Sequence, residues 1–507
     1  MTAPRHVVIA STLLAMCACR GSGVGPFVTS RASATAITHV RLIDGTGQPA
    51  KQDQTVVIQD GRVTAVGTAA AAKIPPGARM VDGRDRTIIP GLVGMHEHLF
   101  YQTEGPSGTR VYPAQAAFAK LYLASGVTTI RTAGTLDFDG DLELKAQIDA
   151  GEAPGPRIHI TGPYLNATSS AADPTGIARE VNAQAERGAT SFKAYTSLRT
   201  PELRAAIEVA HARGLRVTGH LCAVGFREAI AQGIDNLEHG IVVDSDFSSR
   251  PRGEVCQGGM VGEVASLDVA TDAGVRQLIA DLVRHGTALT STLAVLESYT
   301  GRESAFDPRT PLVLAQSLRA AYASSRGSLA ADDAGSRVWS AMLSKEMQFE
   351  RALVAAGGRL LAGVDPTGWG GIVAGFGDQR ELELLVEAGL TPEAAIRFAT
   401  LNGADFLYES DRVGSVAPGM LADLVLVKGN PSASISDIRN VELVFKDGVA
   451  FDPQALVMST NGTVGALEIR HILRWPYNVI LPGLVLLLVA RIVSNARKRA
   501  GVELTSR

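Results

Sequence analysis

The sequence predicts an α/β fold: a (β/α)8 TIM barrel, a small β-sandwich domain built from both chain ends, and a C-terminal transmembrane helix. Three observations predict this fold. Strand-like and helix-like segments alternate through residues 89–410, which is typical of the βα units of a barrel. Short β-rich segments flank that region on both sides, and a long run without charged residues lies near the C-terminus.

The composition excludes several classes of protein. The chain has 507 residues, of which 46% are hydrophobic and 20% charged, so it can bury a large core without disulfide support. Its formal net charge of −3 leaves no overall basic field to hold nucleic acid. Of the four cysteines, Cys222 and Cys256 lie in the body of the chain and show no CxxC metal spacing. We therefore expect no nucleic-acid partner and no disulfide framework, although a single bridge stays open.

The first residues have the pattern of an export signal. A basic residue at Arg5 precedes an apolar run and then small residues, which predicts a signal peptide at 1–19. Cys17 or Cys19 would be lipidated if the signal is of the lipoprotein type, and ordinary signal-peptidase cleavage is the alternative. Residues 20–34 contain Gly, Ser and Thr and are predicted to form a linker.

Two separated stretches, 35–88 and 411–470, are predicted to form one composite β-domain. Strand-like segments occur on both sides of the middle region, at 36–43, 55–58, 62–66, 423–428 and 441–446. Asp-Gly pairs, which suit hairpin turns, follow several of these segments. We therefore expect the two chain ends to meet in one small sheet domain interrupted by the barrel.

The middle region repeats a strand and then a helix. Its strand-like segments lie at 126–130, 157–160, 190–195, 215–218, 288–293 and 360–364. Helical patterns such as 201–213 and 226–232 separate them. This repetition favours a barrel over residues 89–410. A doubly wound sheet is the competing fold, but no GxGxxG or P-loop spacing supports nucleotide binding there.

The C-terminal region is predicted to cross a membrane. Trp475 to Ala490 is free of charged residues, and the predicted helix covers 474–493. At about 1.5 Å per residue, such a helix just spans a hydrocarbon core. The basic tail at 494–507 would remain in the cytoplasm. Together with the signal peptide, this predicts an exported, membrane-tethered protein whose body faces the periplasm; an interfacial amphipathic tail is the alternative.

Histidines at the ends of predicted strands indicate a metal site. His96 and His98 share one face of a strand because alternate residues point the same way. His220 and His239 end two later strands, and Asp365 ends the last one. A barrel presents its reactive groups at the carboxyl ends of its strands, and imidazole with carboxylate suits Zn²⁺. Taken singly, each histidine could be a hydrogen-bonded core residue and Asp365 a loop cap.

Lys193 is the second unusual feature of the predicted barrel. Its neighbours in the strand are apolar, and a free ammonium group is costly to bury there. Carbamylation would convert Lys193 into an anion able to bridge two metal ions. A lysine that extends to solvent is the alternative.

These motifs together resemble the metal-dependent amidohydrolase superfamily, specifically its imidazolonepropionase-like and dipeptidase-like branch. The resemblance covers most of residues 36–450 and is specific for the superfamily, though not for a substrate. The matching segments are 89–91 before the two histidines of the first strand, 126–129, 191–193, 219–220, 238–240, 363–365 and the closing 414–425.

The resemblance implies a role for each residue of the site. His96, His98 and Asp365 would bind one divalent ion, His220 and His239 a second, and carbamylated Lys193 would bridge the two, which are expected to be Zn²⁺. A hydroxide between the ions would attack the substrate. Asp365 would be the catalytic residue that accepts its proton and passes it to the leaving amine.

The sequence therefore predicts a hydrolase that cleaves an amide, either peptide-like or N-acyl amino acid, in a small-molecule or short-peptide substrate. Hydrolysis of a cyclic amide, carbamate or ester by the same centre is one alternative, and a non-catalytic surface scaffold is another. Leu221 and Cys222 stand where deaminases of the superfamily place a Glu shortly after the histidine, which argues against deamination. Tyr164, Tyr195 and Trp369 are candidate substrate contacts, and a homo-oligomer stays open.

Overall fold

A computed structural model describes residues 23–105, 108–166, 173–250 and 260–466. Within these ranges the strands are β1 (Val28–Ser30), β2 (Ala34–Leu42), β3 (Lys51–Gln59), β4 (Arg62–Thr68), β5 (Arg79–Asp82), β6 (Arg86–Pro90), β7 (Leu92–Glu97), β8 (Phe100–Gly105), β9 (Gly108–Pro113), β10 (Val127–Thr132), β11 (Arg157–His159), β12 (Ser191–Ala194), β13 (Arg216–Gly219), β14 (Asn236–Glu238), β15 (Ala288–Ser291), β16 (Leu360–Ala362), β17 (Leu424–Lys428), β18 (Val441–Lys446) and β19 (Val449–Phe451).

The helices in the same ranges are α1 (Gln115–Ala124), α2 (Phe138–Asp149), α3 (Pro174–Glu186), α4 (Thr200–Ala212), α5 (Phe226–Ala231), α6 (Val261–Ala265), α7 (Ala273–His285), α8 (Leu293–Glu297), α9 (Thr310–Val313), α10 (Gln316–Ala331), α11 (Asp333–Ala355), α12 (Phe376–Glu387), α13 (Pro392–Phe398), α14 (Leu401–Phe406) and α15 (Pro453–Met458). Local sequence sets several of their ends. The Asp272 side chain accepts a hydrogen bond from the Val275 N–H at the start of α7, and Gly286 ends that helix with a φ of 68°.

Eight parallel strands form the barrel, in the order β7, β10, β11, β12, β13, β14, β15 and β16. Hydrogen-bonded ladders join β7, β10 and β11 in one group and β12 to β16 in another. A parallel bridge between Thr161 and Ser191 connects the two groups. The Val364 N–H donates to the His96 carbonyl at 3.2 Å and closes the barrel on its other side. Every residue of β7, β10 and β12 is buried, as expected for strands covered by helices.

The remaining strands, apart from the β8–β9 hairpin, are hydrogen-bonded into one nine-stranded sheet that is built from both chain ends. Its order is β1-β19-β18-β17-β6-β2-β3-β4, with β5 paired to β2. β6 connects the two chain ends because it pairs antiparallel with β17 and parallel with β2. β1 lies inside the stretch predicted to be a linker and pairs with β19. A single residue, Gly91, separates β6 from β7, so this sheet leads directly into the barrel.

The predicted transmembrane helix and membrane-tethered localisation are not supported and are withdrawn. A membrane span needs about 20 consecutive apolar residues. In the part of the chain that the structure describes, no helix is both long enough and apolar enough to cross a bilayer. The 23-residue helix α11 contains charged residues along its length, including Arg337, Lys345 and Arg351. The predicted signal peptide at 1–19, helix at 474–493 and tail at 494–507 lie outside the described residues.

Candidate metal centre

His96 and His98 lie at the carboxyl end of β7, where the strand opens into the mouth of the barrel. Their side chains are 2% and 3% exposed. His96 Nδ1 lies 2.7 Å from Glu238 Oε2, which leaves the His96 Nε2 atom facing the mouth. His98 Nδ1 lies 3.3 Å from the Gly134 carbonyl oxygen. Each ring is therefore held by a hydrogen bond at Nδ1, which leaves Nε2 free to bind an ion.

Asp365 follows β16 and brings a carboxylate to the same point. Its backbone has a φ of 52°, and its N–H donates to the His96 carbonyl at 2.9 Å. Asp365 Oδ1 lies 3.2 Å from His98 Nε2 and 3.8 Å from His96 Nε2. Ligand atoms of these three residues all lie within 4.8 Å of one another. Two nitrogens and an oxygen at this spacing form a set that suits a divalent ion.

His220 and His239 follow β13 and β14 and flank this triad. Their ring centroids are 4.5 Å apart, and the His239 ring centroid is 4.6 Å from that of His96. His239 Nδ1 lies 2.9 Å from Thr292 Oγ1 and 3.9 Å from Asp365 Oδ2. The structure thus brings all four predicted histidines and Asp365 together at one end of the barrel.

Gly240 allows the chain to turn sharply after His239. It has a φ of 87°, and a Cβ at this position would lie 1.6 Å from Glu346 Oε1. That carboxyl group accepts hydrogen bonds from the Ile241 and Val242 N–H groups at 3.1 and 3.2 Å. Glu346 therefore occupies the space that a side chain would need, and the position requires glycine.

Burial keeps His96, His220 and His239 in their neutral form. It lowers the pKa of His96 to about 4 and that of His220 to about 3, with the nearby charge of Lys193 adding to the effect. Burial and the neighbouring His220 and His96 also hold the pKa of His239 well below its usual range. Neutral imidazole is the form that binds metal ions, so these rings are prepared to act as ligands at neutral pH.

Lys193 lies in β12 with its side chain 1% exposed. Its Nζ atom is 3.7 Å from Glu238 Oε1, beyond hydrogen-bond distance, and makes no hydrogen bond in the described part of the chain. Burial lowers the pKa of Lys193 to about 8. The Lys193 amine is buried beside the histidines and has no hydrogen-bond partner among the described residues. This environment fits a lysine whose Nζ carries an additional group, such as a carbamate.

Glu238 is a residue of the site that the sequence analysis did not select. Its fully buried carboxylate contacts His96, accepts a hydrogen bond from Arg131 Nη2 at 2.8 Å, and accepts another from the Thr218 hydroxyl. Although burial acts against ionisation, Lys193, His96 and Arg131 hold the pKa of Glu238 well below its usual range. Its position at the end of a buried strand, directly before His239, was the available signal, because a buried acid needs partners.

A cavity of about 230 Å³ opens above these residues. Tyr164 and Tyr195 line it, with ring centroids 4.8 Å apart and the Tyr195 centroid 5.2 Å from that of His220. Trp369 is not among the lining residues that the structure describes. Its indole N–H donates to the Ser298 carbonyl at 3.1 Å, and its ring stacks on Tyr322. The structure therefore brings two of the three candidate substrate contacts to the cavity.

Two curated relatives match the chain over short stretches. Adenine deaminase 2 of Jannaschia sp. (strain CCS1) is 42% identical over 73 residues, which are 14% of this chain and 12% of that protein. The imidazolonepropionase of Idiomarina loihiensis is 35% identical over 65 residues, or 13% of this chain and 16% of the relative. The chain thus spans less than a fifth of the length of either relative.

A solved structure and a family model match much more of the chain. A Xaa-Pro dipeptidase with bound methionine in its active site is similar in fold, with a TM-score of 0.62, 22% identity, and coverage of 83% of this chain and all of that one. The model of the amidohydrolase family matches residues 87–451. These matches confirm the resemblance inferred from the motifs. The chain belongs to the amidohydrolase family.

Proposed function

We propose that this hydrolase cleaves an amide bond, peptide-like or N-acyl amino acid, with two divalent ions, most suitably Zn²⁺, in the site at the barrel mouth. The observation that carries the proposal is the placement of His96, His98 and Asp365 with their ligand atoms within 4.8 Å of one another. His220 and His239 would hold the second ion, and carbamylated Lys193 would bridge the pair. The substrate would be a small molecule or short peptide.

The residues present fit such ions. The histidines are buried, and the two in the triad keep Nε2 free because hydrogen bonds occupy Nδ1. When bound, the ions would polarise the scissile carbonyl and lower the pKa of water so that it attacks at neutral pH. Glu238 orients His96 through Nδ1, and Thr292 does the same for His239. Such partners hold ligand rings in position before an ion arrives.

Asp365 is the residue we propose to move the proton. The Thr367 hydroxyl donates to Asp365 Oδ1 at 2.7 Å, and the same oxygen is the one nearest to His98 Nε2. Oδ2, which lies 3.9 Å from His239 Nδ1, is left to accept a proton from the attacking water. Asp365 then donates this proton to the leaving amine and acts first as base and then as acid.

Tyr164 and Tyr195 would contact the substrate above the ions. Their rings line the cavity beside His220, where an aromatic surface can pack on an apolar side chain. Burial holds the pKa of both hydroxyl groups above the usual value, so they remain protonated hydrogen-bond donors.

The test is hydrolysis by the full chain loaded with Zn²⁺ in the presence of bicarbonate. Release of free amino acid would be measured across a library of dipeptides and N-acyl amino acids, with Asp365→Asn as the matched variant. We expect release in the wild type and its loss in the variant. No release from any member by the metal-loaded protein would overturn this substrate class and favour a cyclic amide, carbamate or ester. A protein that binds no metal would support the scaffold alternative.

A further inference from the structure

One wall of the cavity is formed by alternate residues of β8. Phe100, Gln102 and Glu104 all line the cavity, because residues two apart point to the same side of a strand. Tyr101 points the other way, is 1% exposed, and donates through its hydroxyl to the Gly370 carbonyl at 2.9 Å. The wall therefore changes from an aromatic ring near the floor to a carboxylate near the rim.

The β8–β9 hairpin holds this wall in position. Its strands pair from Phe100 opposite Pro113 to Gly105 opposite Gly108. The Gln102 amide reaches the Gly368 carbonyl at 3.5 Å, so the hairpin is attached to the loop that carries Asp365. The cavity wall formed by β8 therefore contacts the chain segment that follows β16.

Glu104 gives this wall of the cavity a negative charge with no cation beside it among the described lining residues. Among the described lining residues, Lys193 is the only lysine or arginine, and it lies at the floor 3.7 Å from Glu238. Arg110 pairs with Thr103 across the hairpin, so it projects from the face opposite to Glu104. No ion pair joins Glu104 to any part of the chain that the structure describes. A substrate carboxylate near the rim of the cavity would therefore be repelled by the Glu104 carboxylate.

Tyr299 lines the same cavity as Glu104 and adds an aromatic surface to it. Its ring stacks on Trp339 with centroids 4.6 Å apart and an angle of 18° between the planes. Burial raises the pKa of Tyr299, and the charge of Glu104 raises it further. An aromatic face beside a carboxylate is a favourable site for an ammonium or guanidinium group.

We propose that the cavity selects amide substrates with a cationic group far from the scissile bond, held by Glu104 and Tyr299, over substrates with a carboxylate there. This inference rests on the proposed function and narrows its substrates, peptide-like or N-acyl amino acid amides, to those that carry a cationic group, such as short peptides bound through an ammonium group. Phe100, next to His98 with ring centroids 4.6 Å apart, would contact the apolar part of the substrate. From Phe100 to Glu104 the strand rises about 13 Å, so the substrate is an extended chain.

Three matched hydroxamates test the inference without requiring hydrolysis. The probes are 6-aminohexanohydroxamate, hexanohydroxamate and the monohydroxamate of adipic acid, which place an ammonium, a methyl or a carboxylate at the end of similar chains. Binding to the full chain loaded with Zn²⁺ is measured by calorimetry. We expect the amino compound to bind about tenfold more tightly than the neutral one, as one charge-assisted hydrogen bond supplies, and the acidic compound to bind most weakly.

Glu104→Gln should bring the affinity ratio of the amino to the neutral compound close to one, and Glu104→Lys should favour the acidic compound. Glu152→Gln is the matched control and should keep the wild-type ratio. Glu152 is exposed in the loop between α2 and β11, at the opposite end of the barrel. Equal binding of all three compounds, or an unchanged ratio in Glu104→Gln, would overturn this inference alone. Failure of every hydroxamate to bind the metal-loaded protein would overturn the proposed metal centre instead.

Discussion

Glu238 Oε2 lies 2.7 Å from Nδ1 of His96. The two residues come from β14 and β7, which are not neighbours in the barrel, so the contact crosses its interior. Glu238 also binds Arg131 of β10 and Thr218 of β13. One carboxylate thus connects four strands directly beneath the predicted ion, and it fixes which nitrogen of His96 faces the mouth.

Glu238→Gln is expected to weaken zinc binding by about 10- to 100-fold. The neutral amide is a weaker hydrogen-bond acceptor than the carboxylate, so it no longer holds the His96 ring in its orientation as strongly. Competition with a chromogenic chelator measures the affinity. Glu297→Gln is the matched control. Glu297 is equally buried, and away from the site it forms an ion pair with Arg380, with an N–O distance of 2.7 Å. Both variants should lose stability, because each removes one carboxylate of a buried ion pair, with Arg131 for Glu238 and with Arg380 for Glu297. Wild-type zinc affinity in Glu238→Gln would contradict this role.

Lys193→Ala is expected to lower the metal content from two ions per chain to one. The side chain lies among the site histidines without a hydrogen bond, and its carbamate is proposed to bridge the ions. Elemental analysis after reconstitution with Zn²⁺ and bicarbonate measures the content. Lys145→Ala, which removes a surface lysine paired with Asp149, should retain both ions. Two ions in Lys193→Ala would rule out a bridging role.

Gly240→Ala is expected to destabilise the fold by about 3–5 kcal/mol, because the new methyl group meets Glu346 and the backbone has a positive φ. Urea unfolding measures the change. Gly327→Ala supplies the comparison: Gly327 lies inside α10, and the added Cβ meets no atom within 4 Å beyond the adjacent backbone of its own helix. That variant should be stabilised by up to about 1 kcal/mol. Equal stability of the two variants would refute the account of this turn.

The raised pKa of Asp141 predicts that the free energy of unfolding falls as the pH rises. Burial raises its pKa from the ordinary 3.8 to about 7, and Asp137 adds to the effect, while hydrogen bonds from Thr135 and Gln115 oppose it. The folded chain therefore holds this proton more tightly than the unfolded chain. The contribution of Asp141 to the free energy of unfolding is fully present below about pH 4 and is lost as the pH rises to about 7.

Asp141→Asn should consequently lose less stability between pH 5 and pH 7.5 than the wild type, by about 2–4 kcal/mol. Urea unfolding at both pH values gives the difference. Asp139→Asn on the same helix is the control, because Asp139 is 76% exposed and should follow the wild type. An identical pH dependence in Asp141→Asn would show that this carboxyl group does not titrate as described.

The four histidines and Asp365 that sequence patterns identified share a simple feature, since each lies at or just after the carboxyl end of a barrel strand. The carboxyl ends of parallel strands meet at one mouth, so His96, His220 and Asp365 could be placed together without knowing any side-chain contact. Glu238 and Thr292 could not, because their roles depend on which side chains meet across the barrel interior.

Trp369 and the small domain show the same limit. Trp369 is close to Asp365 in sequence, but Gly368 and Gly370 on either side have positive φ values of 64° and 91°, and the indole packs into the core. Apolar alternation predicted the strands of the small domain but not their pairing. β6 joins β2 and β17 into one sheet because its two edges are both open to partners, which alternation alone does not specify.

The most direct test of the central claim is zinc content measured together with amide hydrolysis in wild type and Asp365→Asn. The account predicts two ions per wild-type chain, loss of hydrolysis on chelation, and its return with Zn²⁺. It predicts turnover lower by about 10²- to 10⁴-fold in Asp365→Asn, because the variant cannot transfer the proton. Full turnover by the metal-free wild type, or by Asp365→Asn, would contradict the claim that this site performs the reaction.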